Sequence, residues 1–115
     1  MPPSAEVIAA AIGVTTMPGY VAYTASTDPN HLLGRQGGYT SKVNWGTSDE
    51  GTNSIEVYPD ASGAQERYQY LKGFQGSMIG DGYDYLVGTA LLRLSTYWTP
   101  AQASVLDAKF MKAAT

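Results

Sequence analysis

From residue 39 onward, the chain repeats one order of predicted elements: two strands, then a helix. Alternation of polar and apolar residues predicts the strands, which cover 39–46, 54–58, 83–87 and 90–95. A helix start follows each pair, because Ser62 with Gln65 and Thr99 with Gln102 have the spacing of a capping box. Pro100 suits the first helical position of the second helix. This order predicts an antiparallel sheet with helices packed on one face and the other face open.

An additional helix is predicted ahead of this repeat. Ser4 is placed to cap its start, and Gly13 is placed to end it after Ile12. A short extended piece over 20–24 supplies a candidate fifth strand. The predicted fold class is therefore α+β, with an antiparallel sheet of four to five strands and a ββαββα core behind an N-terminal helix. A length of 115 residues suits one domain over 1–115.

Composition excludes several classes of function. The net charge is −3, and the seven basic residues are scattered singly, so the sequence lacks the basic stripe typical of nucleic-acid binding. The chain has no cysteine, which excludes disulfides, thiolate zinc sites and a cysteine nucleophile. No apolar run reaches the roughly 18 residues that a transmembrane helix needs. The N-terminus lacks a basic segment and is predicted to be a short helix rather than a signal peptide.

A long loop over 23–42 is the strongest candidate for a functional segment. It combines turn-forming Asp, Asn, Pro and Gly residues with one apolar pair, Leu32 and Leu33, which is typical of a structured loop attached to a core. We expect this loop and nearby aromatic and basic side chains to form a binding surface. The candidate binding residues are Asp28, Asn30, His31, Arg35, Tyr39, Lys42, Tyr58, Arg93 and Trp98.

The same loop carries a resemblance. Its segments TDPN, LLGR and YTSK, together with IEVYPDASGAQER over 55–67 and elements of 83–102, resemble a family of small exported proteins and lipoproteins of actinobacteria. The resemblance covers most of the chain. It implies a secreted or cell-envelope-associated protein, although a cytoplasmic location stays open, and it brings no catalytic residues and no assigned activity.

An enzymatic reading has little support in the sequence. Asp28 and His31 lie three residues apart in a predicted turn, but the chain has no G-x-S-x-G nucleophile elbow. Asp28 is better suited to capping its own turn. A small hydrolase using His31 or a pair of carboxylates remains an alternative. The single histidine and the scattered carboxylates match no standard metal spacing, so neither a metal nor a cofactor is predicted.

Charged side chains are also predicted on the open sheet face. Arg93 lies between two leucines and would join Lys42, Glu56 and Asp84 in a cross-strand pattern of alternating sign. Mutual pairing on a solvated face is one interpretation, and a ligand site is the other.

The sequence thus predicts a non-enzymatic binding domain with an unidentified partner and an unspecified oligomeric state. A phage- or prophage-encoded exclusion protein or inhibitor is a further alternative. The exposure of four aromatic residues separates two kinds of binding: a flat aromatic patch would suit a protein partner, and a pocket would suit a small ligand. These residues are Tyr39, Trp45, Tyr58 and Trp98.

Overall fold

A computed structural model describes residues 3–24, 26–28, 33, 34, 38–73 and 82–115. Its elements follow the predicted order, a helix followed by a ββαββα core, with one short strand between the first helix and that core. In chain order they are α1 (Ala5–Ile12), β1 (Val21–Ala22), β2 (Ser41–Thr47), β3 (Gly51–Val57), α2 (Ala61–Lys72), β4 (Tyr83–Val87), β5 (Ala90–Leu94) and α3 (Pro100–Ala114). The predicted α+β fold with a sheet of up to five antiparallel strands is confirmed.

The five strands form one antiparallel sheet in the order β1-β2-β3-β5-β4. Two hairpins, β2–β3 and β4–β5, are joined through the pairing of β3 with β5, in which Ile55 lies opposite Leu92. Since β3 and β4 both flank β5, α2 must cross the sheet to connect them. The two-residue turn between β4 and β5 begins at Gly88, whose φ of 58° suits the predicted hairpin turn.

The main core lies between one face of the sheet and the helices α1 and α3. Alternate strand residues point to this face, including Val43, Ile55 and Leu92, and they are fully buried. Ile8 of α1 and Phe110 of α3 are also fully buried in this cluster. The predicted inward residues of α3, which are Ala103, Leu106 and Phe110, are all buried.

The opposite face is not open, because α2 packs over it. Ala64 of α2 is buried in a second, smaller cluster with Tyr39 and Tyr58, against which Leu33 and Leu86 pack. The helices therefore lie on both faces of the sheet, and the expectation of an uncovered face is wrong. The crossover from β3 to β4 carries α2 across residues that the sequence pattern had marked as solvent-facing.

The N-terminal caps of α1 and α3 are the predicted residues, but the cap of α2 is not. Ser4 caps α1 and accepts the N–H of Val7, while Gly13 ends the helix in a left-handed conformation. Thr99 and Gln102 form the predicted capping box of α3. The box predicted at Ser62 is wrong: Asp60 is the cap of α2, and its carboxylate accepts the N–H of Gly63 at 2.9 Å. A carboxylate one residue before the helix meets the free amides first.

Within the described ranges, no helix is both long enough and apolar enough to span a bilayer.

Candidate functional site

Two groups of side chains stand out as candidate sites. The first is the buried charge cluster, which lies between the sheet and α2. The second is a cavity at the far end of β2, named here the Trp45–Trp98 cavity. The buried charge cluster consists of Asp28, Tyr39, Lys42, Glu56, Tyr58 and Arg67.

The centre of the buried charge cluster is a cross-strand ion pair. Lys42 of β2 and Glu56 of β3 lie directly opposite each other, and Lys42 Nζ is 3.3 Å from Glu56 Oε2. The pairing predicted from the sequence is thus present, but the predicted solvation is wrong, since only 4% of Lys42 and 0% of Glu56 are exposed. Oε2 has no hydrogen bond of good geometry, so the pair is a charge contact.

Two tyrosines complete the surroundings of this pair. Tyr58 donates its hydroxyl to Glu56 Oε1 at 2.8 Å, and Tyr39 donates to both carboxylate oxygens of Asp28 at 2.7–2.8 Å. Burial, with Glu56 as the second cause, raises the pKa of Tyr58 far above its ordinary value. Tyr58, a predicted binding residue, is buried beneath α2 beside Tyr39, with their rings 5.9 Å apart, edge to face.

Asp28 ties the long loop to this cluster. Its carboxylate accepts the backbone N–H of Leu33, five residues along the chain, at 3.0 Å, while the same group receives the hydroxyl of Tyr39. Asp28 is 1% exposed, so it is a buried anchor. Tyr39 precedes β2 and lies on the opposite side of the sheet from Val43, against the predicted strand alternation.

Two arginines, Arg67 and Arg93, lie close to carboxylates on the same face of the sheet. Arg67 Nε lies 3.5 Å from Glu56 Oε1, and Arg93 Nε lies 3.6 Å from Asp84 Oδ1. Burial raises the pKa of Asp84, while Arg93 opposes this rise. The predicted pairing of Arg93 with Asp84 is present, and Arg93 is the most exposed of these paired side chains.

The buried charge cluster offers little to a ligand. Four predicted binding residues are buried and engaged with neighbouring groups: Asp28, Tyr39, Lys42 and Tyr58. Three other candidate residues, Asn30, His31 and Arg35, lie outside the described residues, and a hydrolase based on His31 stays a prediction. In the described part of the chain, no group of three or more metal-ligating residues comes together.

The Trp45–Trp98 cavity lies where β2 ends, at the end of the strand away from the long loop. Its volume is about 290 Å³, near the lower end of the range typical of small-ligand sites. The segment between α1 and β1, the β2–β3 hairpin and the start of α3 form its walls. The described lining residues are Met17, Pro18, Trp45, Gly46, Thr47, Glu50, Asn53, Tyr97, Trp98 and Gln102.

Asn53 holds the walls of this cavity together. Its Oδ1 accepts the indole N–H of Trp98 at 2.9 Å and the backbone N–H of Ser95 at 2.8 Å. Its amide nitrogen donates to the carbonyl of Trp45 at 3.4 Å. The Ser95 hydroxyl in turn donates to the carbonyl of Glu50 at 2.6 Å. These bonds fix the ring of Trp98 against the hairpin.

A close backbone approach forms the wall beside Met17. The N–H of Gly46 donates to the carbonyl of Pro18 at 2.8 Å, and Gly19 lies against Gly46 with a φ of 78°. A Cβ on Gly19 would overlap the carbonyl oxygen of Gly46. Glycine therefore allows the segment before β1 to reach the hairpin.

Trp45 has an unusual polar group. Only 2% of the residue is exposed, and its indole N–H is buried with no acceptor among the described residues. A buried donor without a partner costs about 1–3 kcal/mol, and such groups are uncommon in folded proteins. This unpaired donor belongs to a residue that lines the cavity.

The sequence located this cavity only in part. Trp98 was a predicted binding residue and lines the cavity, whereas Trp45 was named only as an aromatic residue whose exposure would separate the two kinds of binding. Glu50, Asn53 and Met17 were not among the predicted binding residues. No local signal marks them, because each lines the cavity only after the hairpin meets the segments before β1 and α3.

A scan against protein-family models, a search of curated proteins and a search of solved structures each find no match to this chain.

Proposed function

We propose that this chain is a non-enzymatic binding domain and that its ligand is a small molecule held in the Trp45–Trp98 cavity. The observation that carries the proposal is the cavity itself: about 290 Å³ of space walled by two tryptophans and a tyrosine, with Asn53 fixing one indole. Preformed concave sites lined by aromatic rings and a few polar groups are typical of small-ligand binding.

The exposure of the aromatic residues favours a pocket over a flat patch. Tyr39, Trp45 and Tyr58 are buried, so they cannot contribute to a flat surface for a protein partner. Trp98 is half-buried and lines the cavity. The burial of these three rings supports the proposal of a small ligand over that of a protein partner.

The resemblance to exported and lipoprotein domains supports a secreted or envelope-associated setting for this function. A binding domain in that setting would meet nutrients, lipids or small signalling compounds. The low content of charged residues, 15%, is compatible with such a location.

Nuclear magnetic resonance tests the proposal directly, because the chain has only two tryptophans and hence two indole N–H signals. A library of small apolar, aromatic and charged compounds should contain members that shift both signals saturably. Trp98→Phe assigns the two signals. The matched reporters are the backbone signals of Glu66 and Gln69 on α2, which should not move.

If no compound shifts either indole signal, or if shifts spread equally over α2, the proposed site is wrong. A Tyr97→Leu variant sharpens the test, since Tyr97 is 62% exposed and its loss should weaken binding without unfolding the chain. Tyr70→Leu is the matched control, because Tyr70 has a similar exposure of 58% on α2.

A further inference from the structure

Resting on the proposed function, we infer that the Trp45–Trp98 cavity binds an alkylated ammonium group, such as the trimethylammonium head of choline. The inference comes from which polar groups of the cavity are already occupied and which charge is left unpaired. The expected ligands are small organic cations.

The Trp98 indole offers carbon surface rather than a donor, because Asn53 takes its N–H. Trp45 is 2% exposed, so only a small part of this residue reaches the cavity, and its N–H is out of contact with solvent. Tyr97, which lines the same cavity, adds a third aromatic ring. Faces of electron-rich rings attract cations, and recognition of quaternary ammonium groups by such rings is a recurrent use of this attraction.

Two polar residues that line the cavity, Asn53 and Gln102, are already hydrogen-bonded within the protein. Both polar atoms of the Asn53 side chain have partners. In the capping box, the side-chain oxygen of Gln102 accepts the backbone N–H of Thr99. The backbone N–H of Gln102 donates to the hydroxyl of Thr99. This box occupies donors at the start of α3 that would otherwise favour an anion. A ligand that needs few directed hydrogen bonds fits such walls.

The charge in the cavity has one sign. Glu50 is the single charged residue among the described residues that line it. Its backbone is fixed from two sides, by the Thr47 hydroxyl and by Ser95, while no basic group among the described residues forms an ion pair with it. An unpaired carboxylate beside aromatic rings favours a cationic ligand.

Three other cavities lined by described residues suit a small organic cation less well. The neighbouring groove along α3 shares Met17 and Trp98 with this site and contains Lys109, so it would extend the cavity for the rest of a larger molecule. The shallow depression on α2 and the one beside Pro3 contain no tryptophan. Only the Trp45–Trp98 cavity combines indole rings with an unpaired carboxylate among the described residues.

The experiment is a titration with choline and with its uncharged carbon isostere, in which a tert-butyl group replaces the trimethylammonium group. Indole signals and tryptophan fluorescence report binding. We expect choline to bind about fivefold more tightly than the isostere. Glu50→Gln should weaken choline about fivefold and leave the isostere unchanged, while Asp49→Asn, which changes the neighbouring exposed carboxylate, should leave both unchanged.

Each outcome decides between the ligand class and the proposed function. Equal affinity for choline and the isostere, or an equal effect of Glu50→Gln and Asp49→Asn, overturns the cationic ligand but keeps the cavity as a binding site. No shift with choline, together with saturable shifts from other compounds, has the same meaning. No indole shift with any compound overturns both proposals.

A second arm identifies where the ammonium group comes from. The domain is sedimented with vesicles of phosphatidylcholine and, separately, with vesicles of phosphatidylglycerol, which lacks the ammonium group. Binding to the first alone, abolished by excess choline, supports a lipid headgroup as the source. Choline binding without sedimentation supports a free compound, and equal sedimentation with both vesicles contradicts recognition of the ammonium group.

Discussion

The buried charge cluster and the Trp45–Trp98 cavity use similar residue types and reach opposite results. Each combines aromatic rings with a carboxylate supplied by the β2–β3 hairpin. Glu56 in the cluster is surrounded by Lys42, Arg67 and the Tyr58 hydroxyl. Glu50 at the cavity has no basic partner among the described residues. A carboxylate that is paired within its own protein has little capacity left to bind a ligand. An unpaired carboxylate beside open space keeps that capacity.

The comparison is sharpest for the two carboxylates, and the largest expected effect is that of Glu56→Gln. Removing one partner of a buried ion pair leaves Lys42 without its counter-charge, so we expect the free energy of unfolding to fall by about 3–5 kcal/mol. Urea unfolding followed by circular dichroism measures this change.

Glu66→Gln is the matched control for this variant, since Glu66 is an exposed carboxylate on α2. It should change stability by less than about 0.5 kcal/mol. Equal effects of the two substitutions would show that the buried charge cluster does not support the fold.

Substitution of Asn53 measures how much the hydrogen bonds of the cavity walls contribute to stability, for comparison with the buried charge cluster. Asn53→Ala removes the acceptor of two donors, the Trp98 indole and the Ser95 amide, so we expect a loss of about 2 kcal/mol and a shift of the Trp98 indole signal. Asn44→Ala is the matched control on β2, where one bond to Tyr23 is lost, and about 1 kcal/mol is expected. An unmoved Trp98 signal in Asn53→Ala would contradict the role of Asn53.

Tyr58 gives the cluster a dependence on alkaline pH. Its pKa is raised in the folded protein, first by burial and then by Glu56, so the folded state keeps the proton after the unfolded chain has lost it near the ordinary value of 10.0. The Tyr58 contribution to stability is therefore intact below pH 10 and is lost as the pH rises above it.

Tyr58→Phe should lower stability by about 1.5 kcal/mol at neutral pH and make the loss above pH 10 shallower. Unfolding in urea at a series of pH values measures both effects. Tyr97→Phe is the control, because Tyr97 is exposed and lines the Trp45–Trp98 cavity rather than the buried charge cluster. Parallel pH curves for the wild type and Tyr58→Phe would contradict the assignment.

The smallest expected effect on stability is that of Glu50→Gln. Since this carboxylate is exposed and lacks an ion-pair partner among the described residues, the free energy of unfolding should change by less than about 0.5 kcal/mol. The same urea experiment checks it beside Glu56→Gln. A loss comparable to that of Glu56→Gln would mean that the cavity carboxylate supports the fold, and the contrast between the two regions would fail.

Local signals were enough for most elements of the fold. Ser4, Gly13 and the capping box at Thr99 act within one helical turn, so their chemistry is readable from neighbouring residues. Register was partly readable as well: Lys42 and Glu56 were expected to pair across strands, and they do. The cap of α2 was misplaced by two residues because Asp60 and Ser62 are both suitable caps.

The sides and surroundings of residues could not be read in the same way. Strand alternation placed Glu56 on the sheet face that was expected to be open to solvent. This face is covered by α2 once that helix crosses the sheet, so Glu56 and Tyr58 are buried there. Among the described residues, Tyr39, Lys42 and Tyr58 are buried on the face that α2 covers. The cavity, in contrast, gathers residues from three separate segments.

By itself, the sequence determined the α+β class, the order of the elements, most helix caps and the charged pairing across strands, because propensity, capping and alternation depend on residues close in the chain. Tertiary structure alone decided that Glu56 is buried while Glu50 is exposed, and that Trp45, Asn53 and Trp98 meet around one cavity. Burial and concavity depend on which distant segments pack together, and no local pattern encodes that contact.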